Sequence, residues 1–122
     1  MLKRIAHSVT DLQYHLVFCP RYREVFPIPG SPSDVERSLR SASAALGGDL
    51  LAISVESDHI HLQVQLAPYC CVSYFIGRLK RLTSRLLPNG MSWSRGYYCS
   101  TVGAVDEYKV RSYIRSQSGT SS

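Results

Sequence analysis

The chain has 122 residues, of which 44% are hydrophobic and 19% are charged, and its formal net charge is +5. This length predicts a single domain over residues 1–122, and the composition excludes a fibrous or wholly disordered protein. Residues 1–68 hold six basic and seven acidic side chains (net −1), whereas residues 69–122 hold eight basic and two acidic ones (net +6). This asymmetry favours a polyanionic partner for the second part, although a basic surface that only keeps the protein soluble is an equal alternative.

The N-terminus and the cysteines predict a cytoplasmic protein. Residues 1–11 lack the apolar run of a secretory signal, and no apolar run approaches the roughly 20 residues that a membrane helix needs. The four cysteines (Cys19, Cys70, Cys71 and Cys99) do not have the spacing of a zinc site or of a disulfide framework. We therefore expect free thiols in a reducing compartment and no membrane partner.

The first part of the chain predicts a strand, a loop and a helix, in that order. Residues 11–19 (DLQYHLVFC) are rich in β-forming residues with alternating apolar positions, which indicates a strand. The proline-rich residues 20–32 predict a loop. Ser33 and Glu36 have the spacing of a capping box, so we expect a helix that starts there and ends at Gly47 and Gly48.

The remaining segments complete an α+β pattern. The next two strands are joined by a tight turn near Ser57 and Asp58, and the helix after them has Phe75, Leu79, Leu82 and Leu86 on one side. These segments are strands over residues 49–57 and 59–67, a helix over 72–87, a loop, a strand over 97–103, a helix over 106–117 and a frayed tail over 118–122. The order predicts a ferredoxin-like or RRM-like antiparallel sheet (βαββαβ) with an appended C-terminal helix.

Two of the four histidines lie in the tripeptide His59-Ile60-His61. On a strand, residues i and i+2 face the same way about 6.6–7 Å apart, so both imidazoles would reach one cation. Two histidines are an incomplete ligand set and need a further ligand from elsewhere or from a substrate oxygen. The alternative is a half-exposed strand with two solvated histidines. Asp58 is either a partner that orients an imidazole or only a turn residue.

The last two helices carry further residues of interest. Tyr113 and Gln117 are four residues apart and therefore share one face of the last helix, although Tyr113 alone is equally explained as a core residue. The preceding helix has a basic side, whose members are Arg78, Lys80, Arg81 and Arg85. Aromatic residues that could stack on unpaired bases are Tyr69, Tyr74, Trp93, Tyr97 and Tyr98.

Five segments in this order resemble the single-tyrosine HUH (TnpA-like) transposases of small insertion sequences. The first is similar to the family's first strand and the second to its HUH motif. The next three are similar to the helix after that motif, to its aromatic-glycine strand and to its nucleophile helix. They read HSVTDLQYHLVFCPRYRE, ESDHIHLQVQL, VSYFIGRLKRLTSRLL, WSRGYYCSTVG and VRSYIRSQ. The resemblance covers most of the chain.

The resemblance implies an enzyme that cuts and rejoins single-stranded DNA at the ends of an insertion sequence. His59 and His61 would hold Mg²⁺ or Mn²⁺ with Gln117, and Tyr113 would attack the scissile phosphate to give a 5′-phosphotyrosine. The substrate would be a DNA hairpin, bound in part by the basic residues Arg78, Lys80, Arg81 and Arg85. The family works as a homodimer, and whether the site forms within or between subunits stays open.

Two other interpretations remain open. The first is a non-catalytic RRM-like module that binds single-stranded nucleic acid, and the second is a domesticated relative that acts on repeat hairpins. The binding module predicts that Tyr113→Phe leaves function unchanged, whereas the enzyme predicts complete loss of covalent chemistry.

Overall fold

The computed structural model describes residues 3–5, 8–21, 32–87, 92–101 and 107–119. These form a four-stranded sheet with helices on both faces and a separate pair of short strands. The elements are β1 (Lys3–Ile5), β2 (Ser8–Thr10), β3 (Gln13–Phe18), α1 (Pro32–Ala45), β4 (Asp49–Val55), β5 (Ile60–Gln65), α2 (Val72–Leu86), β6 (Tyr98–Thr101) and α3 (Glu107–Gly119). No helix among the described residues is long and apolar enough to cross a membrane.

The main sheet has the strand order β4-β5-β3-β6, and all neighbouring strands are antiparallel. This confirms the predicted α+β fold with an antiparallel βαββαβ sheet and an appended helix. The small antiparallel pair β1-β2 was not predicted. Strands of three residues contain too few positions to show a period of two, so the sequence pattern does not reveal them.

Helices α1 and α2 cover one face of the sheet and form the main core with it. Leu16 and Phe18 of β3 and Ile60 and Leu62 of β5 are fully buried there. Because side chains alternate along a strand, Val17 and Cys19 point to the other face. There they form a second buried cluster with Val110 and Ile114 of α3. The sheet therefore has an apolar layer on each face, and among the described helices α3 is the one that packs on the second face.

Four sequence predictions are corrected by the observed element ends. Helix α1 begins at Pro32, one residue before Ser33, so Ser33 lies inside the first turn and does not cap the helix. Leu86 is 52% exposed, and the buried position belongs to Leu87, where the chain leaves α2 in an extended conformation. Helix α3 continues to Gly119, beyond the predicted start of the tail. Strand β5 begins at Ile60, so His59 precedes it.

Other predicted boundaries hold or fall outside the described residues. Gly47 ends α1 with φ +79°, a left-handed conformation that glycine adopts at helix ends, as predicted. Most of the predicted loop at 20–32, part of the loop before β6, and residues 120–122 lie outside the described residues.

Candidate active site

The face of the sheet that α3 partly covers also carries His61. In the antiparallel pairing of β3 with β5, His61 lies opposite Val17, and directly opposite residues point to the same face. Val17 belongs to the cluster that packs against α3. The histidine motif and the last helix, which are about fifty residues apart in the chain, therefore meet on one side of the sheet.

His59 closes the turn between β4 and β5. Its carbonyl oxygen accepts a hydrogen bond from the Glu56 amide over 2.9 Å. Its ring nitrogen Nδ1 lies 2.8 Å from Oδ1 of Asp58. With Nδ1–H donated to this carboxylate, the lone pair of His59 is on Nε2, which is the state of a metal-ligating histidine. Of the two roles left open for Asp58, the structure supports both: it lies in the turn and it holds the imidazole.

Tyr113 lies on the side of α3 that faces the sheet. Its ring packs against the cluster of Val17, Cys19, Val110 and Ile114, and its centroid is 6.4 Å from that of Tyr98. Its hydroxyl group is buried and has no hydrogen-bond partner among the described residues. Burial raises the pKa of Tyr113 above its ordinary value, and the neighbouring Cys19 raises it further. A buried hydroxyl that lacks a partner is uncommon and calls for an explanation, of which a catalytic role is one; Thr10, Gln65 and Ser100 also have a buried side-chain oxygen of this kind among the described residues.

The buried thiol of Cys19 interacts both with Tyr113 and with Asp58, which lies in the turn of His59. Burial raises the pKa of its thiol to about 11, the negative charge of Asp58 adds to this rise, and Lys80 opposes it. The same thiol contributes to the raised pKa of Tyr113. Cys19 thus interacts electrostatically with Asp58 and with Tyr113, and Tyr113 packs against the cluster that contains Cys19. Sequence reasoning treated it only as a free thiol, because nothing in its spacing shows which side of the strand α3 covers.

The residues present fit a divalent cation. Gln117 follows Tyr113 by one turn of α3 and is half-buried, so its amide points from the helix face that carries the tyrosine. Two imidazoles and an amide oxygen are acceptable ligands for Mn²⁺ or Mg²⁺, which complete their shells with water or phosphate oxygens. Among the described residues, no group of three or more His, Cys, Asp and Glu side chains is arranged to hold a metal. A metal bound here would therefore also need an amide or substrate oxygen.

The arginines of α2 lie on the opposite side of the sheet from His61 and Tyr113. Helix α2 packs its apolar side into the main core, on the sheet face opposite α3. Arg81 and Arg85 are exposed on its outer side, and the guanidinium carbon of Arg78 lies 5.7 Å from the centre of the Tyr74 ring. The structure does not bring these residues to the histidines and Tyr113.

Lys80 differs from its three basic neighbours. Its ammonium group donates hydrogen bonds to the carbonyl oxygens of Ser94 (2.9 Å) and Gly96 (2.7 Å). Burial lowers the pKa of Lys80 to about 8. Because of these two hydrogen bonds, the Lys80 ammonium group holds the segment before β6 against α2. We therefore do not include Lys80 among the residues proposed to contact DNA.

The aromatic residues fall into two groups. Tyr69 and Tyr74 are exposed and line a cavity of about 440 Å³ at the start of α2. Trp93 instead packs edge-on against Phe18 at 5.0 Å and donates its Nε1–H to the Lys80 carbonyl. Tyr97 is half-buried against the main core, and Tyr98 is half-buried against the cluster on the opposite face of the sheet. Of the five aromatic residues named from the sequence, only Tyr69 and Tyr74 are exposed for stacking.

The chain is similar to known proteins over most of its length. The family described as transposase IS200-like matches residues 8–117. The transposase for insertion sequence element IS200 of Salmonella typhimurium is 32% identical, over 94% of this chain and 82% of that protein. The ISDra2 transposase TnpA of Deinococcus radiodurans is 27% identical, over 95% and 91% of the two chains.

Two solved structures have a similar fold. A candidate transposase from Deinococcus radiodurans superimposes with a TM-score of 0.83 at 25% identity, over 94% of this chain and 97% of that one. A REP-associated tyrosine transposase bound to a REP hairpin superimposes with a TM-score of 0.56 at 11% identity, over 91% and 68% of the two chains. The second likeness is one of fold alone.

Proposed function

The chain belongs to the IS200-like transposase family and is a transposase, and we propose that Tyr113 is the nucleophile with which it cuts single-stranded DNA. The observation that carries this proposal is the buried hydroxyl of Tyr113, which has no partner among the described residues and lies on the sheet face of His61. A phenol kept in an apolar cluster serves no structural purpose that phenylalanine would not serve as well. Its hydroxyl is therefore explained best by chemistry.

The proposed reaction is a reversible exchange of two phosphodiester bonds. Tyr113 Oη forms a bond to the scissile phosphorus while the bond from phosphorus to the DNA 3′-oxygen breaks. The phenol loses one proton and the departing 3′-oxygen gains one, so the products are a 5′-phosphotyrosine and a free 3′-hydroxyl. Because a phenol with a pKa near 10 is a better leaving group than an alcohol, a 3′-hydroxyl can reverse the attack and join a strand without ATP.

We propose that His59, His61 and Gln117 hold Mg²⁺ or Mn²⁺ next to Tyr113. Such an ion, when bound, polarises the scissile phosphate and orients it for attack. The protein's own contribution is to present these ligands in fixed positions: Asp58 holds the ring of His59 over 2.8 Å, and α3 carries both Gln117 and the nucleophile. The apolar cluster around Val17 and Val110 limits the access of water to the tyrosine.

The basic helix α2 would bind a part of the DNA that lies away from the scissile phosphate. Arg81 and Arg85 are exposed on the side of the molecule opposite α3, and Tyr69 and Tyr74 are exposed at the start of the same helix. Guanidinium groups bind phosphates, and exposed tyrosine rings stack on unpaired bases. The substrate we propose is therefore a DNA strand with a folded part, such as a hairpin, on the α2 side and an unpaired part at Tyr113.

We also propose a homodimer, on the resemblance to single-tyrosine transposases. Sedimentation equilibrium would measure the molar mass in solution. A mass of twice the 13.6 kDa of the chain is the expected result, and a monomer at the concentration used for DNA cleavage would contradict it.

Cleavage of single-stranded DNA tests the proposed chemistry. The protein is incubated with Mn²⁺ and a labelled pool of single-stranded hairpin oligonucleotides, and cut strands are resolved on a denaturing gel. We expect cleavage by the wild-type protein and none by Tyr113→Phe or His59→Ala. Tyr108→Phe is the matched control, because Tyr108 lies on the same helix and is 73% exposed.

The outcomes separate the alternatives clearly. Cleavage by Tyr113→Phe at the wild-type rate would reject Tyr113 as the nucleophile. Tight, salt-sensitive binding without cleavage by any variant would favour a protein that binds nucleic acid without cutting it. Cleavage in the presence of a chelator would reject the role of the metal.

A further inference from the structure

A third histidine, His15, lies on the active-site face and contacts His61. It belongs to β3, where it is opposite Gln63 of β5. This pair is two positions along from the Val17–His61 pair and therefore lies on the same face of the sheet. Its Nδ1 lies 3.2 Å from Nε2 of His61. The two rings meet edge to face, with their centroids 5.4 Å apart and an angle of 66° between their planes. This is the distance of a hydrogen bond between two imidazoles.

The direction of this hydrogen bond decides which nitrogen of His61 can bind a cation. A neutral imidazole has one N–H and one lone pair. If His61 donates Nε2–H to His15, the lone pair of His61 is on Nδ1 and can bind a metal. If His15 is the donor, His61 has its proton on Nδ1 and accepts with Nε2, so it has no lone pair left for a metal. Only the first arrangement is compatible with His61 as a ligand.

We propose that His15 is a positioning residue that accepts Nε2–H from His61 and so presents Nδ1 of His61 to the catalytic cation. This inference rests on the proposed function, since it takes His61 to be a ligand. In this arrangement each of the two ligand histidines has a side-chain partner on one ring nitrogen. Asp58 binds Nδ1 of His59 over 2.8 Å, and His15 binds Nε2 of His61 over 3.2 Å. Each ring then has one nitrogen bound by the protein and one directed to the metal, as ligating histidines generally have.

The surroundings of the two rings show why His15 is needed. Both rings line a cavity of about 160 Å³ together with Ser54 and Gln63. This volume exceeds the roughly 30 Å³ that one water molecule occupies, so water could replace a missing His15 but would not fix the direction of the bond. Gln63 does not substitute for it, because its Nε2 donates to Gln13 Oε1 over 2.9 Å. In the wild-type protein, the backbone of β3 holds the acceptor in one place.

The tautomer of His61 in the metal-free protein is the first test. Nitrogen-15 NMR of the imidazole side chains distinguishes protonated from unprotonated ring nitrogens. We expect His61 to carry its proton on Nε2 in the wild-type protein and in Gln13→Ala, a control on the same face of β3. In His15→Ala we expect a mixture of tautomers. A proton on Nδ1 of His61 in the wild-type protein would overturn the proposal.

The affinity for Mn²⁺, measured by calorimetry in the absence of DNA, is the second test. Loss of a residue that orients a ligand typically costs 10- to 100-fold in metal affinity, and this is the loss we expect for His15→Ala. His15→Asn should restore most of the affinity, because the amide oxygen of asparagine can occupy the place of the His15 Nδ1 acceptor. Gln13→Ala should bind Mn²⁺ as the wild-type protein does.

The results of these tests are distinguishable. If the wild-type protein binds Mn²⁺ and His15→Ala binds it within twofold, the role of His15 is overturned and the proposed function stands. If the wild-type protein binds no Mn²⁺, the metal site of the proposed function fails and the role of His15 fails with it.

Discussion

The hydroxyl group of Tyr113, the proposed nucleophile, is held in its protonated and unreactive form. It is buried next to the thiol of Cys19, and both its burial and this neighbour disfavour the phenolate. The proton therefore stays on the oxygen in the resting protein. A divalent cation held by His59 and Gln117 would favour the phenolate through its positive charge.

The raised pKa of Tyr113 predicts a loss of stability at alkaline pH. A group whose pKa is higher in the folded than in the unfolded protein contributes stability that is fully present below the unfolded value, about 10 for tyrosine. That stability is lost as the pH rises through the folded value. Between pH 8 and pH 11, the free energy of unfolding should therefore fall more for the wild-type protein than for Tyr113→Phe. We expect a difference on the order of 1 kcal/mol or less, because the Tyr113 side chain as a whole is only half-buried although its hydroxyl oxygen is buried.

Urea unfolding of both proteins at the two pH values measures this difference. Other groups that titrate in this range, such as Cys19 with its pKa of about 11, contribute to both proteins and largely cancel. The exposed Tyr108 provides the control variant Tyr108→Phe, which should behave as the wild-type protein does. An equal loss of stability in the wild-type protein and in Tyr113→Phe would show that the phenol is not buried as the structure has it.

Helix α2 shows what a sequence pattern can and cannot assign at the scale of an element. The spacing of Phe75 and Leu79 places the buried side of the helix correctly, and the basic residues lie on its other sides. The pattern cannot predict what each basic side chain contacts. Lys80 is directed at two carbonyl oxygens of the segment before β6, whereas Arg81 faces the solvent. That difference depends on a loop far along the chain, and no helical period encodes it.

Substitution of Lys80 and Arg81 by methionine should separate stability from DNA binding. Lys80→Met leaves the carbonyl oxygens of Ser94 and Gly96 without their donor, which should destabilise the protein by about 1–3 kcal/mol. Arg81→Met should change stability by less than about 0.5 kcal/mol, and it should reduce the salt dependence of DNA binding by about 0.7 log units for each phosphate that Arg81 neutralises. Urea unfolding and binding at several salt concentrations measure the two effects. Equal salt dependence in Arg81→Met and the wild-type protein would remove Arg81 from the DNA-binding surface.

The packing of Gly48, which follows α1, against Phe75 of α2 leads to a second prediction. A methyl group on Gly48 would lie 2.7 Å from a ring carbon of Phe75, whereas nothing lies within 4 Å of the corresponding position on Gly77. We expect Gly48→Ala to destabilise the protein by about 1–3 kcal/mol through overpacking. Gly77→Ala, in the middle of α2, should stabilise it by up to about 1 kcal/mol because alanine favours a helix. Thermal unfolding of the two variants measures this contrast, and equal melting temperatures would contradict the observed packing.

For the molecule as a whole, the periods of two and of 3.6 in the sequence predict the order of the elements and the fold. They also predict that His61 faces away from the apolar residues Ile60 and Leu62. The partners of the site depend on how distant strands pair, which local patterns do not contain. His15 meets His61 across 46 positions because β3 pairs with β5 in one register. Cys19 meets Tyr113 because α3 returns to the face that α1 and α2 leave uncovered, and no spacing in the chain specifies this.

The location of the covalent bond to DNA tests the central claim most directly. The wild-type protein is allowed to react with Mn²⁺ and single-stranded hairpin DNA, the mixture is denatured and digested, and mass spectrometry identifies the peptide that retains a nucleotide. We predict one modified residue, Tyr113, joined to a 5′-phosphate. A nucleotide on Tyr98, whose ring centroid is 6.4 Å from that of Tyr113, or on any other residue would contradict the assignment of Tyr113 as the nucleophile.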